Sequence, residues 1–204
     1  MDLIVKIMLV AVPSYLLGAV PSSYIMGRLV RGIDLRQHGS GNLGAANAFR
    51  VLGTRAALPV LLFDIGKGFV AVRYLAGLGG PGFGFALLAT FMVVLGHNYS
   101  VFVGFSGGKG VGTTFGAFLA LAPHAIIMCL TLWLILLLTT RIVSVASIVG
   151  AIFLPFAALV SNRMFDTDVH YSIIVLSAIV AGLVVYKHRS NIARLRSGCE
   201  RKIF

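Results

Sequence analysis

Carboxylates are scarce in this chain: six Asp and Glu stand against 17 Lys and Arg in 204 residues, and charged residues of both signs make up only 11%. So little charge cannot coat a water-soluble globule of this size, which excludes an ordinary soluble domain. The five histidines are spread along the chain and the acids are few, so no group with metal-ligand spacing forms, and neither a metal nor another cofactor is expected. Cysteine is nearly absent. Cys129 lies in an apolar run and Cys199 in a basic tail, so a disulfide between them would have to cross compartments, and both are expected to be free thiols. No G-x-S-x-G elbow occurs, and no inverted repeat of the kind that builds transporters is visible.

What the chain does have is apolar length. Hydrophobic residues reach 58% and the mean hydropathy is +0.97. Several runs approach the roughly 20 residues that cross a bilayer as helix. Lipid tolerates only helices and closed barrels, and Leu, Ala, Val and Gly without dyad alternation favour helices. The expected fold class is therefore an all-α integral membrane protein, a single polytopic domain over residues 1–204.

Spans are expected near residues 3–26, 56–77, 83–103, 142–160 and 170–186, with one long apolar stretch at 111–139. Positive charge gathers in a loop with Arg28, Arg31, Arg36, Arg50 and Arg55, and in a tail with Lys187, Arg189, Arg194, Arg196, Arg201 and Lys202. That placement is the positive-inside pattern, so the net charge of +11 marks the cytoplasmic face of a membrane and not a nucleic-acid partner. If both basic segments lie on one side, the stretch 111–139 crosses an even number of times. Pro123 lies inside it, removes a helix hydrogen bond and clashes with the preceding turn, which divides the stretch into 111–121 and 124–139. Seven membrane helices result, with the N-terminus outside and the C-terminus cytoplasmic. The first piece is only about 16 Å long, so a re-entrant hairpin of the same parity is the alternative. The cytoplasmic face then holds 27–55, 104–110, 139–142 and 187–204, while the loop with Asp166 and Asp168 faces outward. The first run has only Lys6 before it and an Arg-rich loop after it, so it reads as an uncleaved span and not as a signal peptide.

Three segments carry the residues suited to chemistry. Gly39-Ser40-Gly41-Asn42-Leu43-Gly44-Ala45-Ala46-Asn47-Ala48-Phe49-Arg50 is glycine-rich, holds small polar donors and ends in a fixed cation. Such a loop cradles phosphate through backbone N–H groups, with Arg as a bidentate fork; the bland reading is an ordinary connecting loop. Gly104-Phe105-Ser106-Gly107-Gly108-Lys109-Gly110-Val111-Gly112-Thr113-Thr114 passes from a loop into a helix. It lacks the first glycine of a Walker A loop, where Val103 stands, and the Ser or Thr after Lys, where Gly110 stands, so nucleotide hydrolysis is disfavoured. A helix N-terminus plus one mobile ammonium remains, suited to a phosphate monoester or an acyl phosphate. The third segment, His188 to Glu200, places His188, Asn191 and Leu195 on one helical face. A lipid-surface amphipathic tail would explain its arginines but does not need His188, Asn191 or Glu200. Asp64 and Lys67, three apart inside the second span, read as a structural ion pair ahead of a relay. His97, Asn98, Ser144 and Ser147 are weaker candidates.

Taken together, Ser40-Gly41-Asn42-x-Gly44-Ala45-x-Asn47-x-x-Arg50, Gly107-Gly108-Lys109-Gly110-x-x-Thr113 and His188-x-x-Asn191-x-x-Arg194-Leu195-x-x-Gly198-x-Glu200 resemble the three motifs of the bacterial acyl-phosphate-dependent glycerol-3-phosphate acyltransferases, the PlsY family. They occur in order across essentially the whole chain, and Gly96-His97, Asp64 with Lys67-Gly68, and Ser144 resemble further family positions. Ala46 stands where the family often has Thr, and Gly112 where it often has Ala.

The resemblance implies transfer of an acyl group from acyl phosphate to the sn-1 hydroxyl of glycerol 3-phosphate at the cytoplasmic side of a bacterial inner membrane, giving lysophosphatidic acid and phosphate. It implies membrane lipid and an acyl-phosphate-synthesising enzyme as partners. Under it Lys109, with Gly107, Gly108, Gly110 and Thr113, would hold the acyl phosphate. Ser40, Gly41, Asn42, Gly44, Asn47 and Arg50 would hold one or both phosphates, and His188 and Asn191 the glycerol 3-phosphate. Ser144, Arg194, Gly198, Glu200 and His97 complete the expected substrate-binding set. The proton of the hydroxyl goes either to His188 or to the leaving phosphate. A transporter of phosphorylated metabolites is the alternative from a different class.

Overall fold

The computed structural model describes residues 1–164 and 170–203; they form helices, short 3-10 turns and loops, with no strand among them. The expected outer loop with Asp166 and Asp168 lies outside the described residues. The chain divides into two compact units, Met1–Leu121 and Ala122–Phe204.

The first unit contains α1 (Leu3–Ala19), α2 (Ser22–Arg31), α3 (Ala45–Leu52), α4 (Thr54–Arg73), α5 (Phe83–Asn98) and α6 (Val111–Leu121). The run expected as one span at 3–26 is interrupted at Val20-Pro21, because Pro21 has no N–H to continue the helix. The carbonyls opened by that break are satisfied from elsewhere: the Ser100 hydroxyl donates to Ala19 and the Lys67 ammonium to Val20, at 2.5 and 3.2 Å.

Lipid tails supply no hydrophobic force between helices, so close backbone approach through small residues does that work. Gly18 faces the Val93 carbonyl and Gly96 the Tyr15 carbonyl, which brings α1 against α5 with no room for a Cβ at either place. Gly68 against Thr113 and Gly116 against Ile65 do the same for α4 and α6. The loops of this unit rest on a separate apolar cluster of Leu35, Leu43, Ala48, Leu52, Val60 and Val103.

The second unit contains α7 (Pro123–Thr140), α8 (Val143–Met164), α9 (Tyr171–Lys187) and α10 (Arg189–Arg196). Pro123 stands in the first turn of α7, where its missing N–H costs nothing. Arg141 takes a left-handed φ of 63° and turns the chain directly into α8. α9 and α10 meet at a 58° bend centred on His188. Beyond α10 the chain returns to the α7–α8 turn, where the Ile203 N–H donates to the Arg141 carbonyl at 2.8 Å.

Among the described residues, four helical stretches can cross a membrane by length and composition: Leu3–Arg31, Phe83–Val103, Pro123–Thr140 and Val143–Met164. The bent pair α9 and α10 makes a fifth if it counts as one span. α4 is 20 residues long but carries Arg55, Asp64, Lys67 and Arg73, and α6 is a shorter apolar helix of 11 residues.

Candidate active site

In the first unit the loop between α2 and α3 is shaped by two side chains. The Asp34 carboxylate accepts from the Arg36 backbone N–H at 3.0 Å and from its guanidinium at 2.6 Å, with Arg28 at 3.9 Å. The Arg36 hydrogen bonds hold the Asp34 carboxyl at about 2, against an ordinary 3.8. Both guanidinium groups stack over Tyr24, each 5.3 Å from the ring centre.

The second organiser is Asn47, which is buried on α3. Its Oδ1 accepts from the Ser40 N–H at 2.8 Å, and its Nδ2 donates to the carbonyls of His38 at 3.1 Å and Leu35 at 3.3 Å. Both amide hydrogens are thus engaged by backbone. Asn47, expected among the phosphate donors, here ties the loop backbone to α3. Gly39 and Gly41 adopt φ of 64° and 71°, and a Cβ on Gly39 would collide with the Asn47 amide. Ser40 and Arg50 are exposed, and Gly44 caps α3.

The loop between α5 and α6 lies against the last turn of α5. The Gly108 N–H donates to the His97 carbonyl at 3.0 Å. A Cβ on Gly107 would strike that carbonyl, one on Gly108 the His97 imidazole, and one on Gly110 the Asn98 amide. These glycines therefore serve close packing, which their spacing alone did not reveal. Lys109 is half-buried at the mouth of α6. The Thr113 hydroxyl is buried with no hydrogen-bond partner among the described residues. The two glycine-rich loops meet where the Asn42 Nδ2 donates to the Gly107 carbonyl at 3.5 Å.

Beneath them lies a buried polar group that sequence reasoning saw only in part. Asp64 Oδ1 accepts from the Ser22 hydroxyl and from Lys67 Nζ, each at 2.8 Å, and His97 Nδ1 stands 3.6 Å away. Ser22 and Ser100 were missed because they look like ordinary helix-end serines; the proline beside Ser22 was the available signal.

In the second unit His188 is 3% exposed at the bend, with Nδ1 2.7 Å from the Val184 carbonyl. A carbonyl only accepts, so Nδ1 carries the hydrogen in this contact. Around Glu200 three donors converge: Asn191 Nδ2, the Ser144 hydroxyl at 2.7 Å and Arg194 Nε at 2.6 Å. Burial raises the Glu200 carboxyl; the bonds from Asn191, Ser144 and Arg194 and the Arg194 charge outweigh it, leaving it below the usual carboxylate range. Gly198, at φ 69°, makes the turn that brings Glu200 back to α10. Glu200, expected to bind substrate together with Ser144, here joins Ser144 and Asn191 through its carboxylate. Ser147 accepts from the Trp133 indole N–H at 3.2 Å. Cys129 and Cys199 are free.

Residues 8–198 match the family model described as glycerol-3-phosphate acyltransferase. The chain is similar to glycerol-3-phosphate acyltransferase of Chlorobaculum parvum, at 38% identity over 93% of either chain. It resembles that of Halalkalibacterium halodurans at 42% identity, covering 96% of this chain and 94% of the relative. The crystal structure of PlsY, an integral membrane glycerol 3-phosphate acyltransferase, in its glycerol 3-phosphate form superposes with a TM-score of 0.85 at 33% identity, covering 97% of this chain and 96% of that one. The lysophosphatidic acid form gives 0.82 at 32% identity, covering 97% and 95%. The transporter alternative falls with these matches: the chain belongs to the glycerol-3-phosphate acyltransferase family and is a multi-pass integral membrane acyltransferase.

Proposed function

We propose that the acyl donor is an acyl phosphate and that the acceptor is the sn-1 hydroxyl of glycerol 3-phosphate. The observation that carries this reading is the joined pair of glycine-rich loops, tied at Asn42 and Gly107, one leading to Arg50 and the other to Lys109. Two loops of this kind suit a reaction in which both substrates bring phosphate groups.

In the first unit Ser40, Gly41, Asn42, Gly44 and Arg50, with Gly107, Gly108, Lys109, Gly110 and Thr113, hold substrate phosphate, while Asn47 and His97 keep the loops in shape. In the second unit His188 and Asn191 bind the glycerol 3-phosphate. Ser144, Arg194, Gly198 and Glu200 keep Asn191 in place. The acceptor oxygen adds to the acyl carbonyl carbon, the carbon–oxygen bond to phosphate breaks, and phosphate departs. The proton passes to His188 Nε2 or to the departing phosphate. Phosphate is a good leaving group, so positioning and stabilisation of developing negative charge suffice without an acyl-enzyme.

The membrane arrangement that fits the charge pattern has seven helices in the inner membrane of a bacterium, with the N-terminus outside. Residues 27–55, 104–110, 139–142 and 187–204 then face the cytoplasm, where an enzyme making acyl phosphate supplies the donor, and the product stays in the lipid.

The test is a donor panel with purified protein in detergent. Acyl phosphate, acyl-CoA and acyl-carrier protein are each offered with glycerol 3-phosphate, and the position of the new ester is read. Product from acyl phosphate alone, esterified at sn-1, supports the reading. Equal turnover with acyl-CoA or acyl-carrier protein, or esterification at sn-2, overturns it.

A further inference from the structure

Asp64 and Lys67 are 2% and 1% exposed at the side chain, in a unit whose surroundings are largely apolar. Charges in such a place persist only when paired and fully hydrogen-bonded. Part of the pairing has a local explanation, because Lys67 satisfies the Val20 carbonyl left open by the break before Pro21. Asp64 is not explained that way. Besides Lys67 and Ser22, its Oδ1 faces His97 Nδ1 at 3.6 Å, and its Cβ would be in van der Waals contact with any side chain placed on Gly112. His97 immediately precedes the second glycine-rich segment in space, since its carbonyl accepts from Gly108 and its ring fills the volume a Gly108 side chain would need. Gly112 follows the Gly107–Lys109 loop in the first turn of α6. The Asp64 side chain on α4 therefore lies beside both ends of the loop, its carboxylate 3.6 Å from the His97 ring that supports the loop and its Cβ next to Gly112, through which the loop leaves.

We propose that Asp64 and Lys67, acting through His97, are positioning residues that set the conformation of the Gly107–Lys109 loop. The proposal rests on the reading that this loop holds a substrate phosphate. Asp64 fixes the orientation of the His97 ring, the ring and its carbonyl fix Gly107 and Gly108, and the loop presents its N–H groups and Lys109 in one arrangement. The uncharged state of the pair as a whole, with Lys67 balancing Asp64, keeps this support from opposing the anion bound above it.

The experiment compares KM for each substrate, kcat and thermal midpoint in Lys109→Ala, His97→Ala, His97→Gln and the double variant Asp64→Asn/Lys67→Met. The double variant removes both buried charges together and so avoids stranding one of them. The proposal expects the substrate whose KM rises in Lys109→Ala to be the one whose KM rises in His97→Ala and in the double variant. That rise is about tenfold. His97→Gln, which keeps a donor at reach, recovers most of it. Unchanged KM values with a lowered thermal midpoint, or a rise confined to the other substrate, overturn the proposal. If Lys109→Ala leaves both KM values alone, the phosphate reading of the loop fails instead.

A second arm does not depend on that reading. Gly108→Ala is measured in the wild-type background and in His97→Ala, where the ring it would strike is gone. A loss of about tenfold in kcat/KM in the first and less than about threefold in the second supports the contact as the positioning element. Equal losses in both backgrounds overturn it.

Discussion

Replacing Asn47 by Asp changes one amide nitrogen to oxygen and little else in shape, yet the structure makes it a severe change. Nδ2 donates to two backbone carbonyls, His38 and Leu35, at 3.1 and 3.3 Å, and a carboxylate would present oxygen to both. The third bond, from the Ser40 N–H, would survive. Leu35 is fully buried, so water cannot readily take over its carbonyl, whereas His38 is exposed and water can. Counting about 1 kcal/mol for each lost bond, with a further desolvation cost at Leu35, gives about 2 to 3 kcal/mol against the native loop. If the loop is competent only in that conformation, kcat/KM falls roughly 30- to 150-fold. Asn47→Ala, which loses all three bonds but brings in no charge, should fall in the same range. The assay is product formation by protein in lipid nanodiscs, paired with tryptic cleavage after Arg36 as a direct reading of loop order. Activity within about twofold of wild type, with unchanged cleavage, would refute the argument that this amide organises the loop.

Other outcomes follow from particular contacts. Asp34 titrates at about 2 in the folded protein against an ordinary 3.8, so its contribution to stability is complete above 3.8 and is lost as pH falls toward 2. The thermal midpoint of wild type should drop across that window more than that of Asp34→Asn, and parallel curves would contradict the assignment. On α4, Gly68→Ala drives a methyl into the Thr113 carbonyl and should destabilise by about 1–3 kcal/mol, whereas Gly66→Ala meets nothing and should be neutral or gain up to about 1 kcal/mol. Thermal midpoints of the two variants, measured side by side, check this, and equal shifts would be the contrary result. His188→Gln should lower kcat at least about a hundredfold if the imidazole takes the proton, together with loss of the acidic limb of the kcat profile. A retained acidic limb would assign the proton to the departing phosphate.

The helical class and the membrane setting were legible because apolar length and the scarcity of charge leave no other solvent for the chain. The break at Pro123 was legible too, since proline acts through its own backbone. Pro21 acts by the same physics, but it sat inside an apolar run whose helix resumes two residues later, and so its break passed unnoticed. Site composition was legible from residue type, whereas the division of labour within the site was not. An asparagine that donates to phosphate and one that donates to its own loop look identical in sequence, and only the structure shows that the Asn47 amide donates to the Leu35 and His38 carbonyls. Glu200 likewise reads as a ligand contact, and its three donors within the chain are visible only in the structure. Glycine was read as freedom for an anion nest, yet Gly107 and Gly108 are also required by the His97 carbonyl and ring, contacts that span distant parts of the chain. Asp64 and Lys67 were recognised as a pair from their spacing, while their connection to His97 depends on how α4 packs against α5, which spacing does not encode.

The central claim is direct transfer from an acyl phosphate to glycerol 3-phosphate, and isotope tracing in a single reaction tests it most directly. Acyl phosphate carrying oxygen-18 in the atom that bridges carbonyl carbon and phosphorus is mixed with glycerol 3-phosphate and purified protein, and both products are analysed by mass spectrometry. The account predicts one lysophosphatidic acid for each phosphate released, with all of the bridging label in the phosphate and the new ester at sn-1. Phosphate released without glycerol 3-phosphate, or bridging label retained in the lipid product, would contradict it.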